Sequence, residues 1–274
     1  MKIQFQSPHL IIFESALFRT TTTLLIQEDY ILLVDPNWLP NEIEFIGNYV
    51  ERLGKNKAKY LLFTHSDYDH IIGYGFFPVF QTIASENFVN STDKLANLAQ
   101  INKFDDEYYI KRSYPITYPS IDIVVKGNPQ TIQISKDTYH FYQARGHNND
   151  GIITYNKTQK ILIVGDYLSN IEFPYIYDSV ARYKNTLATL TKIIEQEAVS
   201  ILITGHGDYT EDKNEMLRRI HDAYSYLNDL ENSIRKDTRF DLKNLFERYQ
   251  FPQIMTKFHK GNVTLMQKEL KKQL

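Results

Sequence analysis

The segment FTHSDYDHIIGYG, residues 63–75, constrains this chain more than any other. It grows out of KYLLFT (59–64), a short apolar run of the kind a buried parallel strand needs. The point where such a strand leaves its sheet is the usual place for a site in α/β architectures. His65, Asp67, Asp69 and His70 stand within six consecutive positions, in a chain with only 8 histidines among 274 residues. Either the segment is a polar turn, since Asp and Ser side chains hydrogen-bond nearby backbone, or it surrounds a positive charge. Residues at i, i+2 and i+4 of an extended segment point the same way. His65, Asp67 and Asp69 would then share one side, with His70 closing from the next turn, a spacing that suits metal binding.

Composition narrows the chemistry. There is no cysteine, which removes disulfides, thiolate metal ligands and a cysteine nucleophile together, so any metal must be held by His and carboxylate. The net charge of −2 gives no basic footprint for nucleic acid or an anionic membrane. No apolar stretch approaches the ~18 residues of a membrane span, and the N-terminus carries no sustained apolar signal region. The expectation is a soluble cytoplasmic protein acting on a small molecule, without nucleic-acid or membrane partners, its oligomeric state open.

The first third reads as strands, KIQFQ (2–6), HLIIFES (9–15), TTTLLIQ (21–27) and YILLVD (30–35). A helix over 41–56 follows, with Ile43, Ile46, Val50 and Leu53 on one face. A second helix is expected over roughly 90–111, then an irregular excursion over 112–130 holding Pro115, Pro119 and Pro129. Strands return at 131–135, 138–144, 151–156 and 160–166, then a helix at 178–198 and the strand SILITGH (200–206). From 213 the pattern is helical, with Met216, Ile220, Tyr224, Leu227 and Leu230 forming a stripe read as packing surface. Strands then helix, twice over, predict two packed sheets with helices outside. With no linker in view, 1–274 is expected to be a single domain with a C-terminal helical extension over 213–274.

Further donors close later strands. His147 follows the strand 138–144 in ARGHNNDG, Asp166 ends 160–166 in VGDYL, and His206 ends 200–206 in TGHGDY. Each stands near a glycine, where the backbone can turn tightly. With these residues in place the sequence resembles the metallo-β-lactamase superfamily. Thr64, His65, Asp69, His70 and Gly73 match its motif T-H-x-H-x-D-H-x-x-G, and Asp67 replaces the second histidine. His147, Asp166 and His206 match its later metal ligands, and Asp35, ending YILLVD, matches an aspartate that supports the metal loop. The resemblance covers about 20 to 210 and implies an α+β fold, a four-layer αββα sandwich with extra C-terminal helices.

It also implies two divalent ions (zinc, iron or manganese), one on His65, Asp67 and His147, the other on Asp69, His70 and His206, with Asp166 bridging. The implied activity is hydrolysis by a metal-bound hydroxide, with Asp69 orienting the hydroxide and Tyr167 stabilising an oxyanion or protonating a leaving group. Counting two divalent ions, three carboxylates and a bridging hydroxide, the centre sums to zero charge. That favours a small neutral ester, thioester or lactone over an anionic phosphodiester. The added oxygen ligand also leans from zinc toward iron or manganese. The iron-binding flavodiiron branch carries a glutamate at this place, but nothing after 210 resembles its flavin domain. The competing expectations are an iron-dependent oxidoreductase acting on oxygen or a sulfur substrate, a phosphodiesterase, and an inactive binding protein. Trp38, Phe76, Phe77 and Tyr209 lie near the ligand loops as candidate pocket walls, with core packing the expected role of the two Phe, while His9, His140, His221 and His259 match no metal motif and are read as structural.

Overall fold

Continuous apolar runs, with no polar alternation, make strands that are covered on both faces, and the runs at residues 10–14 and 30–34 are wholly buried. The computed structural model describes residues 1–272 and divides into two compact units, Met1–Lys136 and the remainder from Asp137.

In the first unit β1 (Lys2–Gln6), β2 (Leu10–Glu14), β3 (Thr21–Ile26) and β4 (Tyr30–Val34) pair antiparallel in sequence order. Helix α1 (Pro40–Leu53) crosses over to β5 (Ala58–Leu62), and β4 and β5 run parallel. Pro40 suits the first helical turn, where its missing N–H costs nothing, and Glu42 accepts the Leu39 N–H at 3.2 Å. After the short helix α2 (Tyr68–Ile71), β6 (Gln81–Ser85) extends the parallel part of the sheet. The helices α3 (Glu86–Val89) and α4 (Lys94–Glu107) then lead to β7 (Ile123–Val125), the seventh strand in the order β1 to β7. β8 (Gln130–Ile134) follows before the boundary.

The core of this unit gathers Ile43, Ile46 and Val50 of α1 with Phe13, Leu24, Leu33, Leu61 and Phe63. Trp38 belongs to it. The indole is 1% exposed, meets Tyr68 edge-on at 5.3 Å and donates to Thr20 Oγ1 at 2.7 Å. It is core, not a pocket wall, and Phe77 packs in the core as expected.

In the second unit β9 (Asp137–Gln143), β10 (Ile152–Asn156), β11 (Ile161–Ile163) and β12 (Ile201–Ile203) lie in the order β12-β11-β10-β9. Helix α5 (Val180–Gln196) joins β11 to β12, and α6 (Lys213–Arg235), α7 (Leu242–Arg248) and α8 (Pro252–Lys271) complete the unit. Its own core holds Leu187, Leu190 and Ile194 of α5, Met216, Ile220, Leu227 and Leu230 of α6, and Met255 and Met266 of α8. The apolar stripe read from the sequence is therefore packing surface. No helix among the described residues is long and apolar enough to cross a membrane.

Candidate metal centre

Register explains why distant donors meet. In the first unit Val34 of β4 lies opposite Leu62 of β5, so the residues that follow leave the sheet side by side. Asp35 still donates its N–H to Leu62 O, and its carboxylate then receives Thr64 N–H at 2.9 Å and Thr64 Oγ1 at 2.5 Å. His70 Nδ1 lies 2.9 Å from the same Asp35 oxygen, and one donor atom each of Asp35, His65 and His70 fall within 4.8 Å of one another.

These partners fix proton positions. The Asp35 carboxylate only accepts, so His70 carries its proton on Nδ1 and presents the Nε2 lone pair. Thr64 Oγ1 gives its hydrogen to Asp35 and accepts from His65 Nδ1 at 2.9 Å, which leaves His65 Nε2 as a lone pair as well. His65 Nε2 stands 3.7 Å from Asp67 Oδ2, and His70 Nε2 stands 3.6 Å from Asp69 Oδ2. Both rings are buried while Asp67 is partly exposed.

The loop departs from one sequence expectation. β5 ends at Leu62 and Asp67 is the N-cap of α2, so Asp69 lies in a helical turn together with His70 and not along an extended segment with His65. Asp67 makes no capping hydrogen bond, and its carboxylate turns to His65 instead. Burial first, then the charges of Asp69 and Asp67, push the Tyr68 hydroxyl pKa above the ordinary tyrosine range. Two further residues support the loop, Asn97, which the sequence does not single out, and Gly73 of the motif. Asn97 of α4 donates to Ser66 O at 2.7 Å. Gly73 donates its N–H to Pro36 O, where a Cβ would come within 2.4 Å of that oxygen.

The second unit repeats the device. Ile163 of β11 pairs with Ile203 of the parallel β12, and three residues on from each stand Asp166 and His206. Their side chains meet, His206 Nε2 to Asp166 Oδ2, at 3.5 Å. β9 is antiparallel to β10 and β10 to β11, so the end of β9 opens on the same edge. There His147 places Nε2 3.3 Å from the same Asp166 oxygen. Its Nδ1 lies 2.8 Å from Tyr175 O, and a carbonyl only accepts, so His147 too is protonated on Nδ1 and offers Nε2.

Tyr167 follows Asp166 in the chain. Its ring is 2% exposed, and its hydroxyl accepts His147 N–H at 3.0 Å and lies 2.9 Å from Arg145 O. Burial pushes its pKa up, against the weaker opposing effect of the hydrogen bond from His147. The hydroxyl is therefore hydrogen-bonded to the main chain of the turn that carries His147. None of His9, His140, His221 and His259 enters a candidate metal-binding group among the described residues.

The donor sets suit a divalent cation. Three histidines present the same nitrogen with the other ring nitrogen tied back, an arrangement usual for metal-binding imidazoles, and carboxylates stand beside them. The fold has relatives among solved structures. A metallo-beta-lactamase family protein from Thermus thermophilus superposes with a TM-score of 0.67 at 16% identity, covering 97% of this chain and 94% of that one. The B3 metallo-beta-lactamase BLEG-1 gives 0.59 at 17% identity over 78% of this chain and 98% of its own. A double mutant of the sec-alkyl sulfatase PisA1 gives 0.67 at 12% identity, covering 97% of this chain and 49% of that longer one. At such identities the likeness shows the fold, the α+β type expected from the sequence. Among curated proteins none matches the sequence significantly. A model of the metallo-beta-lactamase superfamily matches residues 16–220, about three quarters of the chain, and the chain belongs to that superfamily.

Proposed function

We propose that the protein is a metal-dependent hydrolase of a small neutral ester, thioester or lactone. His65, Asp67 and His147 would hold one divalent ion and Asp69, His70 and His206 a second, with Asp166 shared. Family membership and the donors seen in each unit separately support this reading. Bound there, the ions would lower the pKa of water toward neutrality and polarise the bond under attack. The chain's own part is to place the proton of each neutral imidazole on Nδ1, through Thr64 for His65, Asp35 for His70 and Tyr175 O for His147, so that Nε2 faces the ion, and to hold Asp69 beside His70 Nε2 where it can orient a water.

The observation that carries the substrate class is Asp67, a carboxylate where the family motif has histidine, 3.7 Å from His65 Nε2. It removes one unit of positive charge from the centre, which costs an anionic substrate more than a neutral one. The solved relatives named for β-lactamase and alkylsulfatase activity are hydrolases, which agrees with the reaction class. The same hard oxygen donor favours iron or manganese over zinc and supports a second reading, an iron-dependent oxidoreductase.

Elemental analysis of protein purified without chelator, for wild type and Asp67→Ala, is the test. About two ions per chain, falling in the variant, with turnover of neutral esters above phosphodiesters, is the expected result. Iron with a spectral response to oxygen and no ester turnover would favour the oxidoreductase. An Asp67→His variant with unchanged metal preference and substrate ranking would remove the argument from charge.

A further inference from the structure

The family match ends at residue 220, and α8 lies beyond it. One side chain of α8 is nevertheless wired toward His147. Asn262, with 0% exposure, accepts Ile176 N–H at 2.9 Å and donates to Pro174 O at 2.6 Å and to Tyr226 Oη at 2.8 Å. An N–H on one side and a carbonyl on the other leave a single orientation for this amide. Asn262 therefore grips the backbone on both sides of Tyr175, whose carbonyl oxygen receives His147 Nδ1–H. The same strap returns Tyr177 N–H to His147 O at 2.6 Å.

The rest of α8 grips the strap too. Phe258 stacks on the Tyr175 ring with centroids 3.9 Å apart and planes 17° from parallel. Gly261 faces that ring, where an added Cβ would stand 3.3 Å away. Glu269 accepts the N–H of Val180, the first residue of α5, at 3.1 Å.

We infer that Asn262 is a positioning residue for His147: by clamping Pro174 and Ile176 it holds the Tyr175 carbonyl on Nδ1, and so keeps Nε2 available as a metal donor. The inference rests on the reading of His147 as a ligand. Without the clamp the strap loses both main-chain bonds around Tyr175, and the imidazole loses the acceptor that selects its tautomer. Changes in outer-shell partners of metal ligands weaken metal affinity by about 10- to 100-fold, and one shell further out the low end, roughly tenfold, is expected.

The test compares Asn262→Ala with Tyr226→Phe. The second variant removes a hydrogen bond from Asn262 but keeps both bonds to the strap, so it serves as the purely structural control. Zinc affinity by chelator competition, thermal midpoint, and the imidazole nitrogen-15 shifts of His147 in zinc-free protein are read for each. Both variants should melt earlier, but only Asn262→Ala should lose roughly tenfold in zinc affinity and show mixed tautomers at His147. Asn262→Ser, which keeps a hydroxyl for one strap group, replaces alanine if that variant does not fold. Wild-type zinc affinity and a single His147 tautomer in the Asn262 variant would overturn the inference. Wild-type protein that binds no zinc, iron or manganese would overturn the metal reading itself, and the tautomer signal would then decide the positioning part alone.

Discussion

Asp35 and His70 share a 2.9 Å hydrogen bond, and the same carboxylate oxygen takes the Thr64 hydroxyl while its twin takes the Thr64 N–H. Three donors converge on one acid. Asparagine at this position has one acceptor oxygen and one NH₂, so it cannot serve all three. With the NH₂ toward His70, the ring must carry its proton on Nε2, the nitrogen that faces Asp69. Asp35→Asn should therefore cost about 10- to 100-fold in metal affinity, measured by chelator competition. An unchanged affinity would show that His70 keeps its tautomer by other means.

Tyr167→Phe leaves the His147 N–H and Arg145 O inside the protein without the hydroxyl they share. A buried group stripped of its partner costs about 1–3 kcal/mol, and chemical denaturation should read a loss of that order. Removing a general acid instead costs about 10²- to 10⁴-fold in rate. Hydrolysis by the variant should fall by less than that range. A fall within it at unchanged stability would place Tyr167 in the chemistry.

Gly146 sits at φ +124°, and a Cβ there would stand 2.3 Å from Tyr183 N and 2.4 Å from Tyr183 Cα. Both are main-chain atoms of α5, so neither can swing aside. Gly146→Ala should destabilise the protein by more than about 1 kcal/mol and should disturb the neighbouring His147. The thermal midpoint checks the first effect and metal affinity the second.

Burial holds the His259 imidazole below its ordinary value near 6.5. Its Nδ1 lies 3.2 Å from Tyr226 Oη. The unfolded chain takes up the proton first as pH falls, so this group's stability is complete above about 6.5 and is lost as pH drops through the lower folded value. Thermal midpoints of wild type should decline through that window, and His259→Gln should flatten the decline. Coincident slopes would show that other groups set it.

The strands that carry donors were legible because their apolar runs stop at a charged residue, as YILLV stops at Asp35 and ILIVG at Asp166. Parallel pairing then does the rest, since equal offsets from Ile163 and Ile203 land on Asp166 and His206. β6 was missed because Gln81 and Thr82 dilute its apolar signal, and β7 because it hides in a proline-rich stretch read as irregular. The helix expected over 90–111 is shorter, Lys94–Glu107, and part of its start belongs to a separate turn. Tyr175 was unreadable for a different reason. It acts through its carbonyl, which every residue has, and only the fold says whose carbonyl meets His147.

Trp38 has one more consequence. It is the chain's only tryptophan, and its indole packs edge-on at 5.3 Å against Tyr68, the residue between Asp67 and Asp69. A buried fluorophore so placed is a built-in reporter. Its emission can follow events at the HSDYDH loop in real time, with no label attached and no second indole to blur the signal.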